Sequence, residues 1–469
     1  MGAILRAPRK RFMTRSSGRV PKGLDKVKET PIFITSPCPA NKQRCTSYSP
    51  FRMMMNTKDN TMNPHLDHNA LYRLPWTLPD NAISWLEPTS MCNLYCDGCY
   101  RKNESDSHKS LEQVRRELDT FNRLRKTDGV SIAGGDPLTH PKIEQIVEMI
   151  AKDGQKPIIN TNGQLLTPEK LRALKRAGVY GFTFHIGSGQ QRPHMKGKTE
   201  VELNDLRLKY AEMLAEVGGL SCAFNATVYE HTLNAVPEIV AWGQEHIDIV
   251  NILVFIAYRA APVHKGYAYY VGGQKIDMTP IAYAIDEDRK ISIMSTDIVA
   301  KIRERDPDFQ PSAYLNGTER PDHFKWLLTL RIGTKDKIYG YGGPKMMELS
   351  QTLHHLKNGS YLAYTKPEVL GRGRSMLLLS PLDRGLARTA RSYLRDVVRR
   401  PQTLFRKLHL QTVMIIQPAD MMVNGALSMC DGCPDITVWE DRLVWSCRME
   451  ELSNFGDWIR PVPEHDDSH

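Results

Sequence analysis

The chain has 469 residues, 41% hydrophobic and 25% charged, with a formal net charge of +10, which is the profile of a globular chain long enough for two or three domains and a large core. No apolar run approaches the roughly 20 residues that span a bilayer, and the basic start Met1-Gly2-Ala3-Ile4-Leu5-Arg6 lacks the apolar stretch of a secretory signal. Nine cysteines, six of them in two clustered trios, read as metal ligands in a reducing compartment rather than as a disulfide framework, so a cytoplasmic location is expected.

Residues 1–80 are rich in Pro, Arg and Met without sustained periodicity, and are expected to form a partly disordered extension. Cys38 and Cys45 lie in it and read as free thiols, with capping of a metal cluster as the alternative. From Ile83 strand and helix signals alternate. Apolar runs fall at Ile83–Leu86, Val130–Ala133, Pro157–Ile159, Phe182–Ile186, Cys222–Val228 and Ile249–Ala257. Between them, Ser110-Leu111-Glu112-Gln113 is a capping box followed by Val114, Leu118 and Phe121 on one helical face. Thr167-Pro168 opens another helix that Gly178 closes, and Pro237 opens the helix before the sixth run. Six such units with continuous apolar strands specify a parallel sheet with right-handed crossovers over about 81–260.

The loop after the first run, Met91 to Tyr100, carries Cys92, Cys96 and Cys99. Three thiolates on a tight loop can hold three irons of a [4Fe–4S] cluster and leave the fourth open to a ligand that is not protein. Zinc is the competing reading, but structural zinc sites close with four ligands, and the closest His, His108, lies nine residues past Cys99. Gly134-Gly135-Asp136-Pro137 follows the second run, where two glycines permit close backbone approach to a ligand. Asn160 to Gly163, His185, Ser188, Asn225, Thr227 and Asn251 lie along or beside runs three to six. Each, taken alone, reads as a satisfied polar group at a barrel end.

After Tyr258 the alternation stops, and residues 260–370 read as turns (Gly272-Gly273, Gly342-Gly343-Pro344) and short helices such as Thr296–Arg305, expected to touch substrate. Between Arg372 and Lys407 stand ten basic and two acidic residues, a net +8. Arg384, Arg388, Arg391, Arg395 and Arg399 share one helical face, with Leu386, Ala390, Tyr393, Leu394 and Val397 expected on the other. This is either a solvated basic face over a core, a peripheral membrane contact through 384–400, or a phosphate-tracking surface for nucleic acid. Sparse aromatics favour a lipid or another amphipathic anion as substrate over RNA. Finally, Cys430-Asp431-Gly432-Cys433 and Cys447 flank a strand–turn–strand pattern over Ile436–Trp445, and a hairpin there would return Cys447 beside Cys430 and Cys433. That trio could hold a second cluster or, since Cys-x2-Cys is also a zinc signature, a zinc ion.

The Cys-x3-Cys-x2-Cys loop after a first strand resembles the radical S-adenosylmethionine (SAM) superfamily, from about Ile83 to Tyr258. The resemblance implies a partial (β/α)6 TIM-like barrel, with an α+β C-terminal auxiliary-cluster domain over 261–469. It implies that Cys92, Cys96 and Cys99 hold a catalytic [4Fe–4S] cluster and that SAM binds the open iron. Reductive cleavage of SAM would give a 5′-deoxyadenosyl radical, with electrons from a flavodoxin- or ferredoxin-type donor. By family position Gly134, Gly135 and Asp136 seat the SAM amino group, Asp standing where the family has Glu. Ser188 or Asn225 would meet its ribose or carboxylate, and Ile252 or Val254 its adenine. The residue before the third cysteine, commonly aromatic, is Gly98 here, with Tyr100 as a substitute.

The Cys430, Cys433, Cys447 spacing resembles the C-terminal cluster motif of the molybdenum-cofactor GTP cyclases and, more loosely, twitch and SPASM extensions. The cyclases' terminal Gly-Gly is missing from a chain ending Asp466-Asp467-Ser468-His469, so GTP is not carried over as substrate. The expected function is thus a radical SAM enzyme acting on an anionic or amphipathic substrate. A peptide- or protein-modifying maturase is the first alternative, and a nucleic-acid-binding iron–sulfur protein without SAM chemistry the second.

Overall fold

The computed structural model describes residues 66–464 apart from 264–265, 286–292 and 422–425, all within the unit Met62–His469. Cys38, Cys45 and most of the expected N-terminal extension lie outside the described residues. All six apolar runs form strands: β1 (Ile83–Thr89), β2 (Gly129–Gly134), β3 (Lys156–Thr161), β4 (Gly181–His185), β5 (Ser221–Val228) and β6 (Ile252–Ala257). They pair in parallel in that order. The crossovers are α1 (Leu111–Leu124), α2 (Ile143–Lys152), α3 (Pro168–Ala177), α4 (Asn204–Val217) and α5 (Val236–Glu245). Local chemistry fixes their ends. Ser110 and Gln113 exchange both capping-box hydrogen bonds at α1, and Thr167 caps α3, which ends on Gly178 in the left-handed region. Val114, Leu118 and Phe121 of α1 are buried against the sheet, each contributing about 1.5–3 kcal/mol over an exposed position.

The sheet does not end at Ala257. After α6 (Ser295–Arg305) come β7 (Ala313–Asn316), β8 (Phe324–Thr334) and β9 (Lys337–Tyr341), then α7 (Pro344–Asn358), α8 (Arg384–Arg399) and β10 (His409–Ile416). β10 pairs in parallel with β6, β8 runs antiparallel to β10, and β7 is antiparallel to β8, giving eleven strands with β9 and Tyr72–Arg73. The expected boundary at 260 therefore falls inside one continuous sheet, and 260–370 holds its longest strand rather than turns and short helices alone. That strand is hidden in the sequence because Lys325 and Arg331 interrupt its apolar run. Both are buried because both are paired. Lys325 Nζ donates to Asp420 Oδ2 (2.7 Å) and Pro418 O (3.0 Å), and Arg331 donates to Gln411 Oε1 (2.6 Å) and Val240 O (2.8 Å).

At the other side, the hairpin β11 (Ile436–Trp439) and β12 (Arg442–Trp445) packs along β1 and α1, so the terminal strand of the parallel set is not left bare. Its turn is Glu440-Asp441 alone, both at positive φ, with Arg442 already in the strand. α9 (Met449–Phe455) follows it. On α8 the five arginines face outward as expected, but Leu394 is exposed among them rather than packed beneath. No helix among the described residues is long and apolar enough to cross a membrane.

Candidate active site

The cysteine loop leaves the carboxyl end of β1 and is held from two sides. On one side stand the two glycines after β2. A Cβ on Gly134 (φ +103°) would lie 2.2 Å from Thr89 O, and one on Gly135 would lie 2.2 Å from Met91 O. Only glycine lets these backbones meet. The amides of Gly135 and Asp136 then donate to Thr89 O (2.9 Å) and Met91 O (2.8 Å). Asp136, expected at the SAM amino group, follows the two glycines and is buried. Its buried carboxylate accepts from Thr161 Oγ1 (2.8 and 2.9 Å), Asn162 N (2.8 Å) and Leu138 N (2.9 Å). It ties the β2 loop to the end of β3 and is a positioning residue.

On the other side lies the loop after β4. Asp97 N donates to Gly189 O (2.9 Å) and Gln191 N to Tyr95 O (2.9 Å). Gln190 Nε2 reaches Cys96 Sγ (3.5 Å), and Asn162 Nδ2 reaches Cys92 Sγ (3.7 Å). Arg192, buried, donates to Gln190 Oε1 (2.8 Å), Asn162 O (2.7 Å) and His185 O (2.9 Å). Gln190 and Arg192 were not legible in the sequence. Their only signal is a polar Gly-Ser-Gly-Gln-Gln-Arg run after a strand.

Burial pushes all three thiols up, Cys96 to about 12 with the neighbouring Cys99 adding to it. Thiols so placed ionise when a cationic centre takes up the thiolates. Among the described residues no three His, Cys, Asp or Glu side chains converge on a point that one ion could occupy. Three thiolates on one loop are the donor set of a cluster in which each meets a different iron. The donor set therefore fits a [4Fe–4S] group held by Cys92, Cys96 and Cys99.

Gly98 (φ +68°) solves the missing aromatic. A Cβ there would lie 2.1 Å from Cε2 of Tyr258, whose ring fills that space and lies tilted by 37° against Tyr229, centroids 4.9 Å apart. Tyr229 Oη donates to Asp97 O (2.5 Å). Tyr100, the expected substitute, is turned to Glu87 and Arg101 instead, its phenol raised by burial and by the Glu87 charge.

Ser188 N donates to Glu200 Oε1 (2.6 Å), itself fixed by a buried ion pair with Arg207 (2.8 Å). Asn225 sits in register with His185 and Val254. Its buried Oδ1 has no hydrogen-bond partner among the described residues and so offers an acceptor to a ligand. Ile252 and Val254 fall on β6 as predicted.

His185, Thr227, Gln190 and Cys96 line one small cleft. Burial, reinforced by Arg192, lowers the His185 imidazole to about 4. An imidazole held below its unfolded pKa near 6.5 destabilises the fold as pH falls from about 6.5 to 4, because the unfolded chain binds the extra proton. His185→Asn is expected to flatten that part of a melting-temperature-versus-pH curve of the apoprotein, and an unchanged slope would refute the assignment.

The second trio brackets the β11–β12 hairpin that packs along β1. The neighbouring Cys430 and burial push the Cys433 thiol well up, and Cys447 is pushed up to about 12 by burial and by Cys430. The Cys430 loop is strapped to β7, with Asp431 N donating to Asn316 O (2.9 Å) and Thr318 N to Met429 O (2.9 Å). A Cβ on Gly432 (φ +75°) would collide with Trp76 O at 2.1 Å. Arg101, two residues after Cys99, joins the groups by donating from Nη2 to Glu87 Oε1 (2.7 Å) and to Ser446 O (2.8 Å), next to Cys447. Lys102 N also donates to Glu450.

Known proteins bear on this geometry. The family profile described as Radical SAM superfamily matches residues 86–243. The chain is 33% identical over 208 residues to the tungsten-containing aldehyde ferredoxin oxidoreductase cofactor-modifying protein of Pyrococcus furiosus, covering 42% of this chain and 57% of that one. It is 24% identical over 202 residues to a probable GTP 3′,8-cyclase of Methanococcus maripaludis, covering 42% and 63%. Streptococcus suis SuiB bound to S-adenosylmethionine aligns at 17% identity and a TM-score of 0.35, covering 50% of this chain and 48% of that one. The chain thus spans less than two thirds of each of these relatives. Residues 86–243, with three cysteines on the loop after β1, carry a radical SAM domain.

Proposed function

We propose that the chain is an enzyme that cleaves SAM reductively and directs the resulting carbon radical at a C–H bond of its substrate. The observation that carries this is the convergence of Cys92, Cys96 and Cys99 with the Gly134-Gly135 backbone and the unpartnered Asn225 Oδ1 at one end of the barrel. The cluster, when bound, supplies the electron that cleaves SAM. The chain's own residues orient and enclose. Asn162 and Gln190 donate toward the sulfurs, Asp136 and Arg192 fix the loops that carry them, and Tyr258 presents a ring at the position Gly98 vacates. Ser188 and Asn225 are the polar groups offered to SAM. Cys430, Cys433 and Cys447 would hold a second cluster, with zinc as the competing occupant. A low-potential protein donor would deliver the electron.

For the substrate, a peptide or protein maturation reading has the better support. The second trio has a SPASM-like spacing, and Arg101 links its hairpin to the loop of the first. In addition, 94 residues are 32% identical to the antilisterial bacteriocin subtilosin biosynthesis protein AlbA of Bacillus subtilis, covering 20% of that protein. The lipid reading rested on α8, which packs at the opposite end of the sheet from the cysteine loop. Anaerobically reconstituted protein with SAM and dithionite is expected to release 5′-deoxyadenosine, and Cys96→Ser to reduce release to background while C-terminal iron is kept. No release from protein with intact clusters would favour a structural iron–sulfur protein that binds nucleic acid.

A further inference from the structure

α8 packs its inner side on β9. Tyr339 stands edge-on to Tyr393 at 5.2 Å and donates from Oη to Asp396 Oδ2 (2.8 Å). β9 pairs with Arg331–Thr334 of β8, and that end of β8 pairs with the amino end of β10, which is parallel to β6. α8 therefore lies at the amino ends of the barrel strands, away from the cysteine loops at their carboxyl ends.

The outward face at this end is unusual in two ways. First, its charge has one sign. Asp383 and Asp396, the two acids of 372–407, are both buried, Asp383 capping α8 and accepting from Gly343 N (2.9 Å). Arg384, Arg391, Arg395 and Arg399 point out without an ion pair among the described residues. Second, apolar side chains stand among the arginines. Leu378, Leu382, Val398 and Phe405 are 80%, 62%, 82% and 89% exposed, and Leu394 lies with Val398 in a shallow groove lined by Arg391, Arg395 and Arg399. These are protruding tips rather than a closed apolar patch.

We propose that this face docks the enzyme on an anionic phospholipid surface. The tips would enter the headgroup boundary while the arginines, stems along the apolar layer, meet lipid phosphates. Residues 1–65 carry thirteen basic and three acidic residues, the same sign of charge as the face. With +10 on 1–65 and +8 on 372–407 in a chain of net +10, residues 66–371 and 408–469 carry −8. The charge asymmetry would turn α8 to the membrane and the acidic body, with its cysteine loops, away from it. A base-stacking nucleic-acid surface is disfavoured because Tyr393 is buried and Phe405 is the one aromatic exposed on this face.

The test is flotation of the full-length, iron-replete chain with phosphatidylcholine vesicles and with phosphatidylcholine–phosphatidylglycerol vesicles. Binding is expected to the second alone and to fall as salt rises. R391Q/R395Q/R399Q should weaken it roughly a hundredfold, and V398S/F405S should weaken it with all charges in place. Both variants should release 5′-deoxyadenosine in solution as the parent does, which separates this proposal from the radical reading. Equal binding to neutral vesicles, no binding to either, or anionic binding untouched by both variants would overturn it. Retention of an acidic protein or RNA by the same face without vesicle binding would overturn it equally.

Discussion

Arg101→Met is expected to destabilise the chain by about 3–5 kcal/mol, because it leaves the Glu87 carboxylate buried without its partner. The two side chains are 4% and 2% exposed at 2.7 Å. Burial is the largest single influence and opposes the Arg101 charge, but Glu87, Tyr100 and Glu450 together outweigh it and raise the guanidinium. Glu87 also accepts from Trp85 Nε1 (3.0 Å), so the carboxylate is anchored within β1. The second consequence concerns the cysteines. Arg101 Nη2 grips Ser446 O, the residue before Cys447, and its loss frees the hairpin that brings Cys447 to Cys430 and Cys433. Iron or zinc bound by the C-terminal trio should fall in Arg101→Met, while metal at Cys92, Cys96 and Cys99 should be retained more fully. Arg101→Met with Glu87→Leu should recover stability without recovering the C-terminal metal, since the apolar pair removes the stranded charge and not the lost grip on Ser446. Metal analysis of each variant in a Cys92/Cys96/Cys99→Ala background, beside denaturant titration, separates the two effects. A single variant with unchanged C-terminal metal would remove Arg101 from that role.

What the sequence made legible follows from what each signal depends on. The six parallel strands and the cap at Ser110 were readable because continuous apolar runs and capping chemistry are local. The cysteine trios were readable because ligand spacing is local too. β8 was not, since Lys325 and Arg331 become strand residues only when Asp420 and Gln411, some 80 to 95 positions away, accept from them. Leu394 was misplaced for a related reason. Its side of α8 is decided by the packing of Tyr393 and Asp396 against Tyr339, which no helical repeat encodes. At the site, Asp136 was readable through its motif, but its hydrogen-bond partners were not. The polar groups that claim its oxygens come from Thr161 and Asn162 on the next strand. Gln190, Arg192 and Tyr258 carry no motif at all, and they matter only because the loops after β4 and β6 fold back on the cysteine loop.

Gly98→Ala is expected to empty the first cysteine trio of iron and to abolish 5′-deoxyadenosine release. Two costs combine at this position. A left-handed backbone costs a non-glycine residue roughly 1–2 kcal/mol, and Gly98 sits at φ +68°. The larger cost is steric, since the new Cβ would lie 2.1 Å from Cε2 and 2.8 Å from Cδ2 of Tyr258, far inside the 3.5–4.0 Å of an ordinary contact. The ring cannot simply step back. Tyr258 is buried, Tyr229 packs against it, and Tyr229 is tied through its hydroxyl to Asp97 in the same loop. The loop must therefore move, carrying Cys96 and Cys99 with it. Adding Tyr258→Gly to Gly98→Ala should restore part of the iron, because it removes the collision and leaves only the backbone cost, and a double-mutant cycle on iron content measures that coupling. Tyr258→Leu alone keeps an apolar filler above Gly98, so iron should be held. If the ring serves SAM in place of the missing aromatic, SAM affinity should drop by about tenfold, the range of one lost aromatic contact. Full iron and full activity in Gly98→Ala would show that the loop yields where Tyr229 and Tyr258 are said to hold it.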